Sequence, residues 1–301
     1  MTSGTRDRGG VESLAVPPTP GAAPRAGQLP ARTAVLLVAP MVLLLVLVFV
    51  APIVSLLVDT LSNGGGLYRE VPGDAFFQRA LVRTFRIAIL TTVIAVVVGY
   101  GTAYGMWKSG AVVRGVVLAL ILFPLFTSVV LRTYGWTALF QRFGVLNTTL
   151  TGLGIIDMPL RVLGTEPAVL IGMVHVMLPF AVLPIYNALT RVDDSLLKAS
   201  AMCGAREVTT LRRVVLPLTV PGTVVAGVLV FVVSLGFFVT PAILGGPRTT
   251  MVSGAIGREI LQFLDIPAGG VMALVLLVIT IAVLAVVYRF VDLGKILREG
   301  A

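Results

Sequence analysis

The sequence predicts an all-α polytopic membrane protein with about six spanning helices. Charged residues make up only 12% of the 301 residues, and mean hydropathy is +1.00. A soluble domain carries about 25% charge, so this chain has too few polar groups to clothe a water-facing surface. The apolar residues also cluster in runs of about 20, separated by short charged stretches, and that length crosses a bilayer core of roughly 30 Å as a helix.

Residues 1–31 are rich in Pro, Gly, Ala and Arg without apolar periodicity, which predicts a disordered cytoplasmic tail. The apolar stretch that follows is too long for a removable signal peptide and lacks a small-residue cleavage site. It is therefore the first span, 34–58, with Pro40 and Pro52 expected to bend it or mark its ends. The second and third spans, 85–107 and 112–131, are separated only by Lys108 to Arg114 and form a tight hairpin. Segment 132–167 carries Tyr134, Trp136, Asn147, Asp157 and Arg161 and is expected at the outer interface. The remaining spans are 168–189, 219–240 and 270–288, completing a transmembrane domain of 32–295 before a short cytoplasmic tail, 296–301.

With both termini inside, the cytoplasmic segments hold 14 of the 23 Lys and Arg residues, including all three lysines. The other nine are arginines, four of them (Arg69, Arg79, Arg83 and Arg86) before or at the outer end of the second span. The net charge of +9 therefore reads as a topology signal, and no basic stripe interleaved with aromatics points to nucleic acid. A single cysteine, Cys203, excludes an intramolecular disulfide, and one His with one Cys makes no structural zinc site. No metal or cofactor is expected.

The stretch between spans four and five is more than a turn. It reads RVDDSLLKASAMCGAREVTTLRRVVLPLTVPG over 191–222, within a loop of 190–218. Asp193, Asp194 and Ser195 offer N-cap oxygens and negative charge where a helix start favours them. A short helix from Leu196 to Cys203 follows, closed by Gly204 in a left-handed conformation. A second helix begins near Arg206, with Val208, Leu211 and Val215 on one face. Pro217 and Pro221 are expected to break or bend it as the chain re-enters the membrane. Two short amphipathic helices joined at a glycine make a rigid knob. From the residues alone it is either an interfacial helix pair or a docking element that passes force from a soluble partner.

At this loop the sequence resembles the permease subunits of binding-protein-dependent ABC importers. Their motif runs E-A-A, three residues, G, nine residues, I-x-L-P. Here Lys198, Ala199 and Ser200 stand in the first three places, Gly204 at the glycine, Val214 at the isoleucine, and Leu216 and Pro217 at the end. Spacing matches throughout, while lysine replaces the acidic residue and serine the second alanine. VLRTYGW (130–136), MLPFAVLPIYNAL (177–189), LPLTVPG (216–222), FFVTPAILGG (237–246) and PAGG (267–270) are similar to the spermidine/putrescine branch.

The resemblance implies a MetI-like permease fold in the inner membrane of a bacterium, forming half of a solute pathway with a second homologous permease. Two cytoplasmic ABC ATPase subunits would bind the seven motif residues, and a periplasmic or extracellular solute-binding protein would deliver a polyamine or related small solute.

The chain has no G-x-x-x-x-G-K-[ST] phosphate loop, so ATP hydrolysis is expected in a separate polypeptide. No catalytic constellation appears, and the chain is not read as an enzyme. GYGTAYG (99–105) has its third glycine one place too far for a nucleotide fingerprint, and Gly101 and Gly105 read as close helix packing. His175 reads as a packing or hydrogen-bonding residue, with a place on the solute path as its other role. Thr127, Ser128, Tyr134, Tyr186, Asn187 and Thr240 could line a path, the tyrosines offering cation–π faces to a polyamine. Their other reading is local backbone bonding and interfacial anchoring. The rival function is a secondary transporter or channel without an ATPase, and a proton- or sodium-coupled carrier often needs ionisable residues in mid-span. These are scarce here, with Arg86 near the outer end of the second span.

Overall fold

The computed structural model describes residues 31–62 and 66–290. The expected tails therefore lie outside the described residues, apart from Ala31. Five helices are long and apolar enough to cross a membrane, or six if one bent pair counts as a single span. This is the all-α polytopic architecture that hydropathy predicts.

The first helix, α1 (Ala31–Ser62), runs through Pro40 and Pro52 without ending. Proline is tolerated inside spanning helices because neighbouring groups and local adjustments satisfy the freed carbonyls. The chain divides into two compact units within this helix, residues up to Val54 and residues from Ser55 onward. Everything below concerns the second unit.

After α2 (Leu67–Gly73), α3 (Ala75–Lys108) starts at Asp74, whose carboxylate accepts the Phe77 N–H at 3.0 Å. It packs with α7 (Glu166–Thr190) and α10 (Leu216–Leu235) to form the centre of this unit. Helix α7 is buried at intervals along its length, from Ala168 to Leu189. Lipid tails are as apolar as these side chains, so helix association relies on close fit, which small residues permit. A Cβ at Gly99 would stand 2.9 Å from Ala181 Cβ, and one at Gly222 would stand 2.4 Å from Ala188 Cβ. Within the chain, Gly101 and Gly105 do not perform the packing expected of them: both are exposed, with nothing within 4 Å of an added Cβ. The contact belongs to Gly99, on the opposite side of the helix.

The third predicted span departs from a single rod. Helix α4 (Ala111–Phe126) ends five residues early, and the stretch Val129–Gly152 that follows, opening with α5 (Val129–Phe140), lies at 105° to it. Thr127 and Ser128 adopt extended ψ angles of 146° and 130°. The Thr127 hydroxyl donates to the Phe123 and Pro124 carbonyls at 3.1 and 3.2 Å, replacing bonds that continuing the helix would supply. Part of the segment read as interfacial is helical, in α5 and α6 (Val145–Gly152). Buried Asn147 ties α6 down by accepting the Leu160 N–H at 2.8 Å and donating to the Gln141 and Leu160 carbonyls.

Two short helices, α8 (Asp194–Met202) and α9 (Glu207–Thr210), precede α10, and α11 (Val239–Leu244) and α12 (Val252–Leu261) follow it. The last helix, α13 (Ile266–Phe290), begins beside α12, where a Cβ at Gly269 would meet Ile260 Cγ1 at 2.5 Å.

Candidate functional site

Helix α8 is built from its ends inward. Asp193 accepts the Ser195 N–H at 2.8 Å and caps the first turn. The backbone and side-chain hydrogen bonds from Ser195 hold its carboxyl below the usual aspartate range. At the other end Gly204 has φ +72°. The Ala205 N–H reaches the Ser200 carbonyl at 3.1 Å and the Gly204 N–H the Ala201 carbonyl at 2.9 Å. This paired closure satisfies two orphan carbonyls and reverses the chain.

The reversal brings α9 back against α8. The Ser200 and Thr210 hydroxyls meet at 3.0 Å, and Ser200 also donates to the Leu197 carbonyl at 2.9 Å. A cavity of about 190 Å³ lies between the two arms and the end of α3, lined by Tyr104, Lys108, Leu197, Glu207 and Leu211 among others. Leu197 and Leu211 pack against the same buried cluster as Tyr104 and Trp107, anchoring the knob to the transmembrane core.

The second arm does not stop at the prolines. Helix α9 passes through a π-helical turn, Leu211–Val215, directly into α10, and the Leu216 N–H bonds to the Leu211 carbonyl. Pro217 has no N–H to offer Arg213, and its ring would clash with that carbonyl in a regular α-helix. The wider π turn lies immediately before the proline and includes Arg213, and the rod continues through both Pro217 and Pro221. Of the break or bend expected at these prolines, the break does not occur, and the helix is continuous through both. Above the turn, Thr219 Oγ1 lies 2.9 Å from Tyr100 Oη, joining α10 to α3.

Of the seven motif residues, Lys198, Ala199, Gly204, Leu216 and Pro217 are exposed, while Ser200 and Val214 are half-buried. Lys198 extends from the outer side of α8 with no partner among the described residues. The exposed positions leave a surface open, and the half-buried Ser200 helps hold that surface in shape.

The six path candidates do not meet. Thr127 and Ser128 sit at the α4–α5 bend, and Tyr134 is exposed on α5. Tyr186 accepts from Arg114 Nη1 at 3.4 Å near the start of α4, roughly 20 Å along that helix from the bend. Asn187 is exposed, and Thr240 is fully buried against Thr133 at 3.2 Å. A second cavity, about 380 Å³, is lined instead by residues of α11, α12 and the loop between them, including Phe238, Gly246, Thr250 and Arg258.

Several polar ties could not be read along the sequence. Trp136 Nε1 donates to His175 Nδ1 at 3.1 Å, which gives the histidine a hydrogen-bonding role between α5 and α7. Thr84 Oγ1 accepts the Val252 N–H at 2.8 Å and satisfies a donor at the start of α12. Arg86 pairs with Glu166, joining α3 to α7. Residue type marks each as a donor or acceptor, but spacing gives no sign of partners 39 to 168 positions apart.

Among the described residues the chain is a bundle of spanning helices with a helical knob continuous with one of them. The chain belongs to the family described as the binding-protein-dependent transport system inner membrane component, which it matches over residues 92–294. It is 32% identical over 216 residues to the spermidine/putrescine transport system permease protein PotB of Escherichia coli, covering 72% of this chain and 78% of that protein. It is also 32% identical over 211 residues to the molybdenum transport system permease protein ModB of Mycobacterium bovis, covering 69% and 77%. A bacterial ABC transporter that imports alginate contains a similar fold, with TM-score 0.74 at 18% identity over 86% of this chain and 96% of that one. The methionine transporter MetNI gives TM-score 0.53 over 76% and 98%.

The protein is thus an ABC-importer permease subunit with the MetI-like fold, a multi-pass protein of the inner membrane that contributes to a translocation pathway. It is not itself catalytic, and ATP hydrolysis resides in a separate partner.

Proposed function

We propose that this permease carries a polyamine of the spermidine or putrescine type, and that α8 and α9 are its docking element for a cytoplasmic ABC ATPase. Similarity to PotB supports the solute class. In this reading the subunit pairs with a second permease above two ATPase subunits, and a solute-binding protein delivers solute at the opposite face. Both termini and the knob lie on the cytoplasmic side. Solute selection rests mostly with the binding protein.

One observation carries the docking role: the second arm of the knob is continuous with α10 through the π turn. A push on α8 is therefore delivered to a spanning helix that packs on α3 and α7. ATP binding and hydrolysis then shift the permease between two states by the difference in ATPase affinity for each. Lys198, Ala199, Gly204, Leu216 and Pro217 are the contact candidates, while Ser200 and Val214 support their arrangement. Thr127, Ser128, Tyr134, Tyr186, Asn187 and Thr240 are proposed for the path, apart from one another rather than in one pocket.

The test is uptake of labelled spermidine, putrescine and molybdate by cells expressing the complete system, with co-purification of the ATPase on the tagged permease. Polyamine uptake and ATPase capture are expected for the wild type. Gly204→Pro should abolish both, because proline cannot adopt φ +72°. Molybdate uptake in place of polyamine uptake refutes the solute assignment, and undiminished ATPase capture by Gly204→Pro refutes the docking role. Accessibility of Cys203 to a membrane-impermeant thiol reagent only in inverted vesicles is expected if the knob is cytoplasmic.

A further inference from the structure

Three arginines precede the second predicted span and a fourth, Arg86, stands at its outer end, where topology disfavours positive charge. Three of the four, Arg79, Arg83 and Arg86, recur at i, i+4 and i+7 on α3. At 100° per residue they share one arc of the helix with Leu90, Val93, Ile94, Val97 and Gly101, all exposed. Lys108 ends the same arc beside the knob. The opposite side carries Ala88, Thr91, Ala95, Gly99 and Met106, all buried. One exposed face of α3 is therefore aliphatic in its middle and cationic at both ends.

The spacing matches a bilayer. Arg86 and Lys108 are separated by roughly 33 Å of helix at 1.5 Å per residue, against a hydrocarbon core of about 30 Å. Arg79 and Arg83 then fall in the next ~10 Å, the depth of the headgroups. Arg86 is paired with Glu166, but exposed Arg79 and half-buried Arg83 have neither an ion pair nor a hydrogen bond to another described residue. Two uncompensated guanidinium forks stand one turn apart at the depth where phosphate is the abundant anion. Such forks match phosphate oxygens in a bidentate manner.

We propose that Arg79 and Arg83 form a binding site for the headgroup phosphate of an anionic phospholipid, in the leaflet away from the knob. The aliphatic residues below them receive the acyl chains. Assigning this to the outer leaflet rests on the orientation given under Proposed function; the phosphate site itself does not. An acidic surface on a protein partner is the competing occupant. It is disfavoured because the aliphatic face continues below the arginines without interruption.

The test uses the full-length chain in non-ionic detergent, with phosphatidylglycerol, phosphatidylcholine and soluble glycerol phosphate as probes. Bound lipid is counted by native mass spectrometry. Wild type should retain phosphatidylglycerol in preference to phosphatidylcholine, and the preference should fall about fivefold for each arginine changed in R79Q and R83Q. R142Q, an exposed arginine elsewhere, should leave it unchanged. R79K/R83K, which keeps charge but loses the fork, should lie between. If the glutamine variants do not fold, raising ionic strength on wild type replaces them, and the preference must fall with salt. The proposal is overturned by unchanged preference in the variants or at high salt, or by glycerol phosphate competing as well as lipid. It is also overturned if the variants lose capture of the solute-binding protein while lipid retention stays intact. The lipid measurements need only this chain, so their result does not depend on which solute or ATPase the system uses.

Discussion

Ser200 Oγ and Thr210 Oγ1 lie 3.0 Å apart and join the two arms of the knob across the Gly204 turn. The serine stands where the family motif has alanine, so this tie is a feature of the present chain. Removing it by Ser200→Ala or Thr210→Val should cost about 1 kcal/mol, the net value of a neutral hydrogen bond. Hydrogen exchange should report faster opening of α8 with little change in α7. Equal protection in wild type and both variants would show that the hydroxyl pair contributes nothing.

The close approach of α10 to α7 makes a different demand. A methyl group at Gly222 would meet Ala188 Cβ at 2.4 Å and the Pro184 carbonyl at 3.1 Å. Gly222→Ala should therefore destabilise the protein by about 1–3 kcal/mol, as overpacking does. Gly101→Ala, with nothing within 4 Å, should not lower the unfolding temperature in detergent. Similar melting of the two variants would contradict this division of roles.

Asp193 supplies a pH dependence. Its carboxylate is stabilised in the folded state by the Ser195 bonds, so its pKa lies below the unfolded value. Its contribution to α8 is present above the unfolded pKa and is lost as pH falls through the depressed folded value. Exchange of the first-turn amides of α8 should accelerate across that acidic window, after correction for intrinsic rates, and Asp193→Asn should flatten the response. An identical pH profile in wild type and variant would remove the carboxylate from the account.

Trp136→Phe deletes the donor to His175 Nδ1 while retaining an aromatic ring in the α5–α7 contact. A loss of about 1 kcal/mol in stability is expected, since the imidazole is left without that partner. His175→Phe in the same background should add little further loss, because the shared bond is already absent. Strictly additive losses would place the two residues in separate interactions.

Hydropathy and spacing suffice for much of this protein because both are local properties of the chain. Run lengths near the thickness of a bilayer mark the spanning helices, and the interval from Lys198 to Pro217 marks the family. The caps of α8 were equally legible: Asp193 and Gly204 act on backbone within a few residues of themselves. The continuity through Pro217 was not, because a proline marks a missing bond without saying whether a π turn will absorb it.

Rotational phase was hidden for a related reason. In a soluble helix the apolar stripe shows which face is buried, but lipid is as apolar as a protein core. Nothing in GYGTAYG distinguishes Gly99, pressed against Ala181, from Gly101 and Gly105, which are exposed. The pairings of Ser200 with Thr210 and Trp136 with His175 likewise depend on how whole helices meet. Composition and spacing along the chain therefore reach the class, the spans and the position of the knob. Helix-to-helix contact assigns the packing glycines and the polar partners, because only packing in three dimensions sets the phase of one helix against the next.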